Sequence, residues 1–149
     1  MKKKSISTLA CLFLTLSMIL AQGSKEPGTI YLKNGDEIKF INIESMDGFL
    51  NTTAQVDLTT DTELIVYHNQ VKRPIKFSLI KQITISAYKE RYYNPATFVI
   101  DLRNGKQAVV SYRGIINLYF DVIDELTEEI MEQSFSSKIP SIEKIVFDD

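Results

Sequence analysis

Cysteine is nearly absent from this chain of 149 residues, and its single copy, Cys11, falls inside an N-terminal apolar run. A chain cut behind that run has no thiol. That excludes disulfide staples, thiolate nucleophiles and cysteine-bound metal, and leaves core packing as the source of stability. Histidine is equally scarce: His68 is the only one, so any imidazole-based acid–base or metal chemistry must be built around it. Basic residues are also in short supply. Lys plus Arg number 17 against 19 Asp plus Glu, and without Lys2, Lys3 and Lys4 the formal charge falls from -2 to -5. Binding nucleic acid needs clustered cations that displace counterions, and an anionic lipid surface repels a chain of this sign, so neither is an expected partner.

What is present begins with an export signal. Lys2, Lys3 and Lys4 precede an apolar run from Leu9 to Leu20, and small residues follow around Ala21-Gln22-Gly23. This order predicts a signal peptide over 1–21, cut after Ala21 or after Gly23, and a bacterial protein that is periplasmic or secreted. The run is shorter than the roughly 20 residues a stable span needs, so no transmembrane span is expected in the mature chain. Leu9-Ala10 before Cys11 admits a lipoprotein alternative. Against it, Leu12 to Leu20 continue the apolar run past the cysteine, on the wrong side for a lipid anchor.

Residues 22–28 form an aperiodic, flexible lead. The remaining length, with 44% apolar residues overall, suits one domain with a real core. Thr29 to Lys33 reads as a strand, Asn34-Gly35 as a two-residue hairpin turn and Asp36 to Glu44 as the return strand, with a bulge where the alternation changes parity after Phe40, or a strand buried on both faces. A second turn is expected at Asp47-Gly48, followed by a Thr-rich stretch to Thr60. Further strands are expected over Glu63 to His68 and, after Asn69-Gln70, over Val71 to Tyr88. Pro74 assigns part of that run to a sheet edge or a bend.

The second half echoes the first. Phe98 to Leu102, then Arg103-Asn104-Gly105, repeats the pattern of Thr29 to Gly35, and Ser78 to Ile83 is matched by Ser141 to Ile145. These echoes, the second of them running over Pro140 to Ile145, predict two β units, 29–88 and 96–149, with internal duplication as one explanation. Leu118, Val122, Leu126 and Ile130 are spaced four apart, with Tyr119, Ile123 and Met131 beside them. That spacing predicts an amphipathic helix over about 116–133, its solvent face made of Asp121, Asp124, Glu125, Glu128, Glu129 and Glu132. An Ile-x-Leu-x-Asn-Gly-Asp hairpin, a polar Thr-rich middle and a closing Ser-x-Ile-x-x-Ile strand together resemble small exported bacterial β domains of SH3-like or Sm-like shape. The resemblance implies a mainly β (α+β) fold of antiparallel hairpin units, either two tandem small barrels or one continuous sheet. It implies no site residues.

Candidate chemistry is sparse. No glycine-framed serine accompanies His68, so a catalytic triad has no nucleophile to organise. Asp57, Asp61 and Glu63 offer oxygen ligands without the framing that curls a calcium loop. No catalytic residue, metal site or cofactor is therefore expected. The most distinctive polar stretch runs from Tyr88 to Pro95. Tyr88, Arg91, Tyr92 and Tyr93 make a low-entropy contact surface of the type found at interfaces, and they are the candidate binding residues. The sequence points to a non-catalytic binding or structural module of the envelope, with a protein or cell-surface polymer as partner. A small barrel holding an apolar ligand and a hydrolase are the alternatives. An outer-membrane barrel fits poorly with a helix and with the charged end Asp148-Asp149.

Overall fold

The computed structural model describes residues 26–50, 54–60, 62–68, 71–86, 95–113, 116–136 and 141–149. The expected signal peptide over 1–21 and the 87–94 segment lie outside these, and with them Tyr88, Arg91, Tyr92 and Tyr93.

The described residues form antiparallel sheets. β1 (Gly28–Leu32) and β2 (Glu37–Phe40) make the first hairpin. Its turn is one residue longer than the expected two-residue Asn-Gly loop. Gly35 N donates to Leu32 O at 3.0 Å, Leu32 N donates to Asp36 O at 2.8 Å, and Gly35 has φ 93°. This is a three-residue loop, a tight turn closed by a glycine in the left-handed region. Asn34 does not share the positive φ; its Oδ1 instead accepts from Asp36 N at 3.0 Å. β8 (Pro95–Leu102) and β9 (Gln107–Arg113) repeat the device, with Gly105 at φ 80° and Asn104 Oδ1 accepting from Lys106 N at 3.0 Å.

After Phe40 the expected bulge proves to be a change of sheet. The chain bends at Ile41, whose N donates to Asp121 O at 2.9 Å, and continues as β3 (Asn42–Leu50) in a second sheet. Phe40, Ile43 and Met46 are all buried, because the parity break lets each sheet turn its own inner face to the core. Asp47 and Gly48 are not a turn; both lie within β3 and pair with Asp57 and Val56 of β4 (Ala54–Asp57). β5 (Glu63–His68) pairs with β6 (Val71–Lys76), where Pro74 sits on an edge strand as its missing N–H requires. A short 3-10 turn, Phe77–Leu79, leads into β7 (Ile80–Ser86).

The helix expected over 116–133 is absent. Its residues form β10 (Asn117–Ile123) and β11 (Ile130–Ser136), which pair from Asn117↔Ser136 to Ile123↔Ile130. The physical reason lies in the pattern itself, since a spacing of four is also two strand periods. Leu118, Phe120 and Val122 are buried on one face of β10, and Phe120 is the residue a helical stripe leaves out. β12 (Ile142–Phe147) closes the chain.

Strand order is β2-β1-β12-β7-β8-β9 in the larger sheet and β11-β10-β3-β4 in the smaller. With β1 to β7 as one half and β8 to β12 as the other, both orders read the same from either end once the β5–β6 hairpin is set aside as an insertion. The registers agree. Ile30 faces Ile145 as Ile100 faces Ile83, and Leu32↔Ile142 and Leu102↔Ile80 follow a bulge at the same place. Lys33 N donates to Ser141 O at 2.8 Å, and Arg103 N donates to Leu79 O at 3.0 Å. At the centre Ile83 pairs with Ile145. Each half's opening strand therefore pairs with the other half's closing strand. Among the described residues neither half closes into a small barrel of its own, which corrects the tandem-barrel expectation. One core, including Ile30, Phe40, Met46, Ile100, Leu118 and Ile145, draws on the inner faces of both sheets.

Candidate functional site

The residues weighed for chemistry, His68, Asp57, Asp61 and Glu63, lie on separate elements, at opposite ends of β5 or outside those described. His68 ends β5 opposite Val71, Asp57 lies on β4 and Glu63 on β5, while Asp61 is outside the described residues. No group of three or more His, Cys, Asp or Glu side chains is placed to hold a metal among the described residues. None of the described helices is long and apolar enough to cross a membrane.

The surface feature that does stand out is the β10–β11 hairpin. Its turn contains no glycine. Asp124 Oδ1 accepts from Leu126 N at 3.0 Å, Thr127 N at 2.8 Å and Thr127 Oγ1 at 3.0 Å, while Glu128 takes φ 59°. Asp124 N donates to Glu129 O and Glu128 N to Asp124 O, both at 2.9 Å, which closes a loop of four residues. Donation from Thr127, then from Leu126, holds the Asp124 carboxyl below the ordinary carboxylate range, so it stays ionised and keeps the turn together. At the root of the hairpin Phe120 and Phe135 stack with ring centroids 5.6 Å apart.

This scaffold presents apolar side chains to solvent. Leu126, placed by its spacing on a buried stripe, is 94% exposed, and Ile123, Ile130 and Met131 are half-exposed near it. Around them stand Glu125, Glu128, Glu129 and Glu132, all exposed. A groove of about 650 Å³ runs between the hairpin and the edge strand β2, with Ile38, Lys39, Val122 and Leu126 among its walls. Sequence reasoning found these acidic residues but assigned them to a solvated helix face. Phe120, buried beside Leu118 and Val122, fits a strand face and not the helical stripe, but nothing in the sequence marks the turn that places Leu126 at its tip.

At the far edge of the larger sheet the β5–β6 hairpin is held from below. Tyr112 of β9 is buried, donates from its hydroxyl to Ile65 O at 3.1 Å and meets the Phe98 ring edge-on at 5.2 Å. Burial, and secondarily Tyr67, pushes the Tyr112 phenol far above its ordinary range, so it remains a donor. The outward strand β6 exposes Val71, Lys72, Arg73 and Lys76. No protein-family model, curated protein or solved structure matches the chain.

Proposed function

We propose that the chain is an exported, non-catalytic binding module of the bacterial envelope, periplasmic or secreted, whose contact surface is the β10–β11 hairpin. Leu126 carries the reading: an apolar side chain 94% exposed at the tip of a turn tied by Asp124, with Ile123, Ile130 and Met131 beside it. Apolar residues clustered on one ordered hairpin, unlike scattered ones, mark a surface that a partner covers. The acidic side chains around them favour a partner with cations ringing an apolar centre. Export rests on the Lys-rich start and the Leu9 to Leu20 run; the mature N-terminus is then Gln22 or Ser24. The sheets remain open, so an apolar ligand finds no closed barrel to occupy among the described residues.

The test is capture of partners from envelope extract by cross-linking, with three variants beside the wild type. L126S/I130S/M131S is expected to weaken capture about 30-fold, the equivalent of about 2 kcal/mol at a hot spot, with an unchanged unfolding midpoint. Undiminished capture by that variant overturns the reading. Loss on R91A/Y92A/Y93A instead moves the surface to residues 87–94, and an activity abolished by His68→Ala replaces binding with hydrolysis.

A further inference from the structure

Two arms of opposite charge stand at opposite edges of the larger sheet. The β10–β11 hairpin, with Glu125, Glu128, Glu129 and Glu132 around Leu126, lies along β2, the strand at one end of the order. The β5–β6 hairpin, with Lys72, Arg73 and Lys76 beside the exposed Val71, is tied to β9 at the other end through Tyr112. Among the described residues none of these charged side chains forms an ion pair; the pair found there, Arg103 with Asp149, lies elsewhere. Lys39 lines the groove beside the acidic hairpin without forming an ion pair among the described residues.

The arms of one chain do not neutralise each other: β2 and β9 are the outermost strands of six, and no ion pair joins the two hairpins among the described residues. Pro74 and the flanking cations of β6 also discourage strand addition there, which leaves side-chain contact as the mode of engagement.

We infer that the cationic β6 face of a second copy of this chain is the partner of the β10–β11 hairpin, giving head-to-tail self-association. The inference rests on the hairpin being the contact surface and names its occupant. Leu126 at the tip, with Ile123 and Ile130 paired on one face of the ladder, supplies the apolar centre against Val71 and the stems of Lys72, Arg73 and Lys76, and the glutamates meet the cationic heads. Because the two surfaces differ, each contact leaves one arm free at either end. Association is then heterologous and continues past the dimer unless the rotation between copies closes a ring.

The experiment is sedimentation of the mature chain over a wide concentration range at about 50 mM and about 500 mM salt, where screening lengths differ about threefold. The expected result is a mass that climbs beyond the dimer with concentration at low salt, with association at least about tenfold weaker at high salt. K72E/R73E/K76E and E128K/E129K/E132K should each stay monomeric alone, and an equimolar mixture should associate again, because one then carries two acidic arms and the other two basic ones. A wild type that stays monomeric at low salt overturns the inference without recourse to any variant. So does a folded pair of variants whose mixture fails to associate. If the wild type is monomeric while L126S/I130S/M131S still loses its captured partner, only the occupant is wrong; if that variant loses nothing, the binding surface itself is wrong.

Discussion

At equivalent places in the larger sheet the two halves divide the same volume differently. In the first, Gly28 lies between Phe40 and Phe147 on the neighbouring strands; in the second, Phe98 lies between Val110 and Ile85. A Cβ on Gly28 would stand 2.2 Å from Val146 O and 2.7 Å from the tip of the Phe40 ring. One half thus keeps two aromatic rings by emptying the middle position, and the other fills the middle and trims the flanks. Backbone register is common to both, so the pairing is held by strand order and turns, while the side chains need only conserve summed volume.

The sharpest way to break this comparison is to empty the filled position. Phe98→Ala removes a buried ring that also packs on Tyr112, and a loss of about 3–5 kcal/mol is expected in denaturant unfolding. Filling the empty position is the converse. Gly28→Ala should cost about 1–3 kcal/mol, because the carbonyl it meets belongs to the backbone and cannot rotate away. If Phe98→Ala is as mild as an exposed substitution, the two halves are not packing one shared core.

The repeated turns allow a comparison of like with like. Gly35 and Gly105 sit at φ 93° and 80° with open space around the missing Cβ, so a substitution there is strained by backbone conformation alone. Gly35→Val and Gly105→Val are each expected to lower stability by about 1–3 kcal/mol. Thermal unfolding of the pair should give closely similar midpoints, and a large gap between them would mean that the two turns are not equivalent.

The smallest effect belongs to the turn made without glycine. Asp124 is held below its ordinary pKa, so its contribution is fully present above the unfolded carboxylate value and fades as pH falls through the depressed folded one. Asp124→Ala should therefore lower the midpoint near neutral pH, and the gap to the wild type should close in acid. A gap that stays constant down to strongly acidic pH would remove the carboxylate from the account of the turn.

Much of the sheet could be read from the residues, and the reasons differ from place to place. Asn-Gly located both opening hairpins because a glycine is needed where φ is positive, although its three-residue form depends on hydrogen bonds that the letters do not distinguish. Pro74 announced an edge strand by lacking a donor. The change of sheet at Ile41 left its trace as a parity break, indistinguishable in sequence from a bulge. The β10–β11 hairpin was illegible for a definite reason: Leu118, Val122, Leu126 and Ile130 satisfy both periods, and from Ile116 to Ile139 no glycine or proline interrupts them. The turn is made instead by Asp124 and Thr127 side chains and by Glu128 at φ 59°, and no residue preference signals that. The exposed apolar surface was hidden with it.

The exchange of closing strands is the claim on which the rest depends. It is tested most directly by introducing one protease site within 87–94, cutting the native protein there, and chromatographing the product without denaturant. The β1–β12, β7–β12 and β7–β8 ladders all cross that cut, so both fragments should elute together in equal amounts and unfold in a single transition. Two folded fragments that separate on the column would contradict the account, because halves that part intact cannot be sharing their sheets.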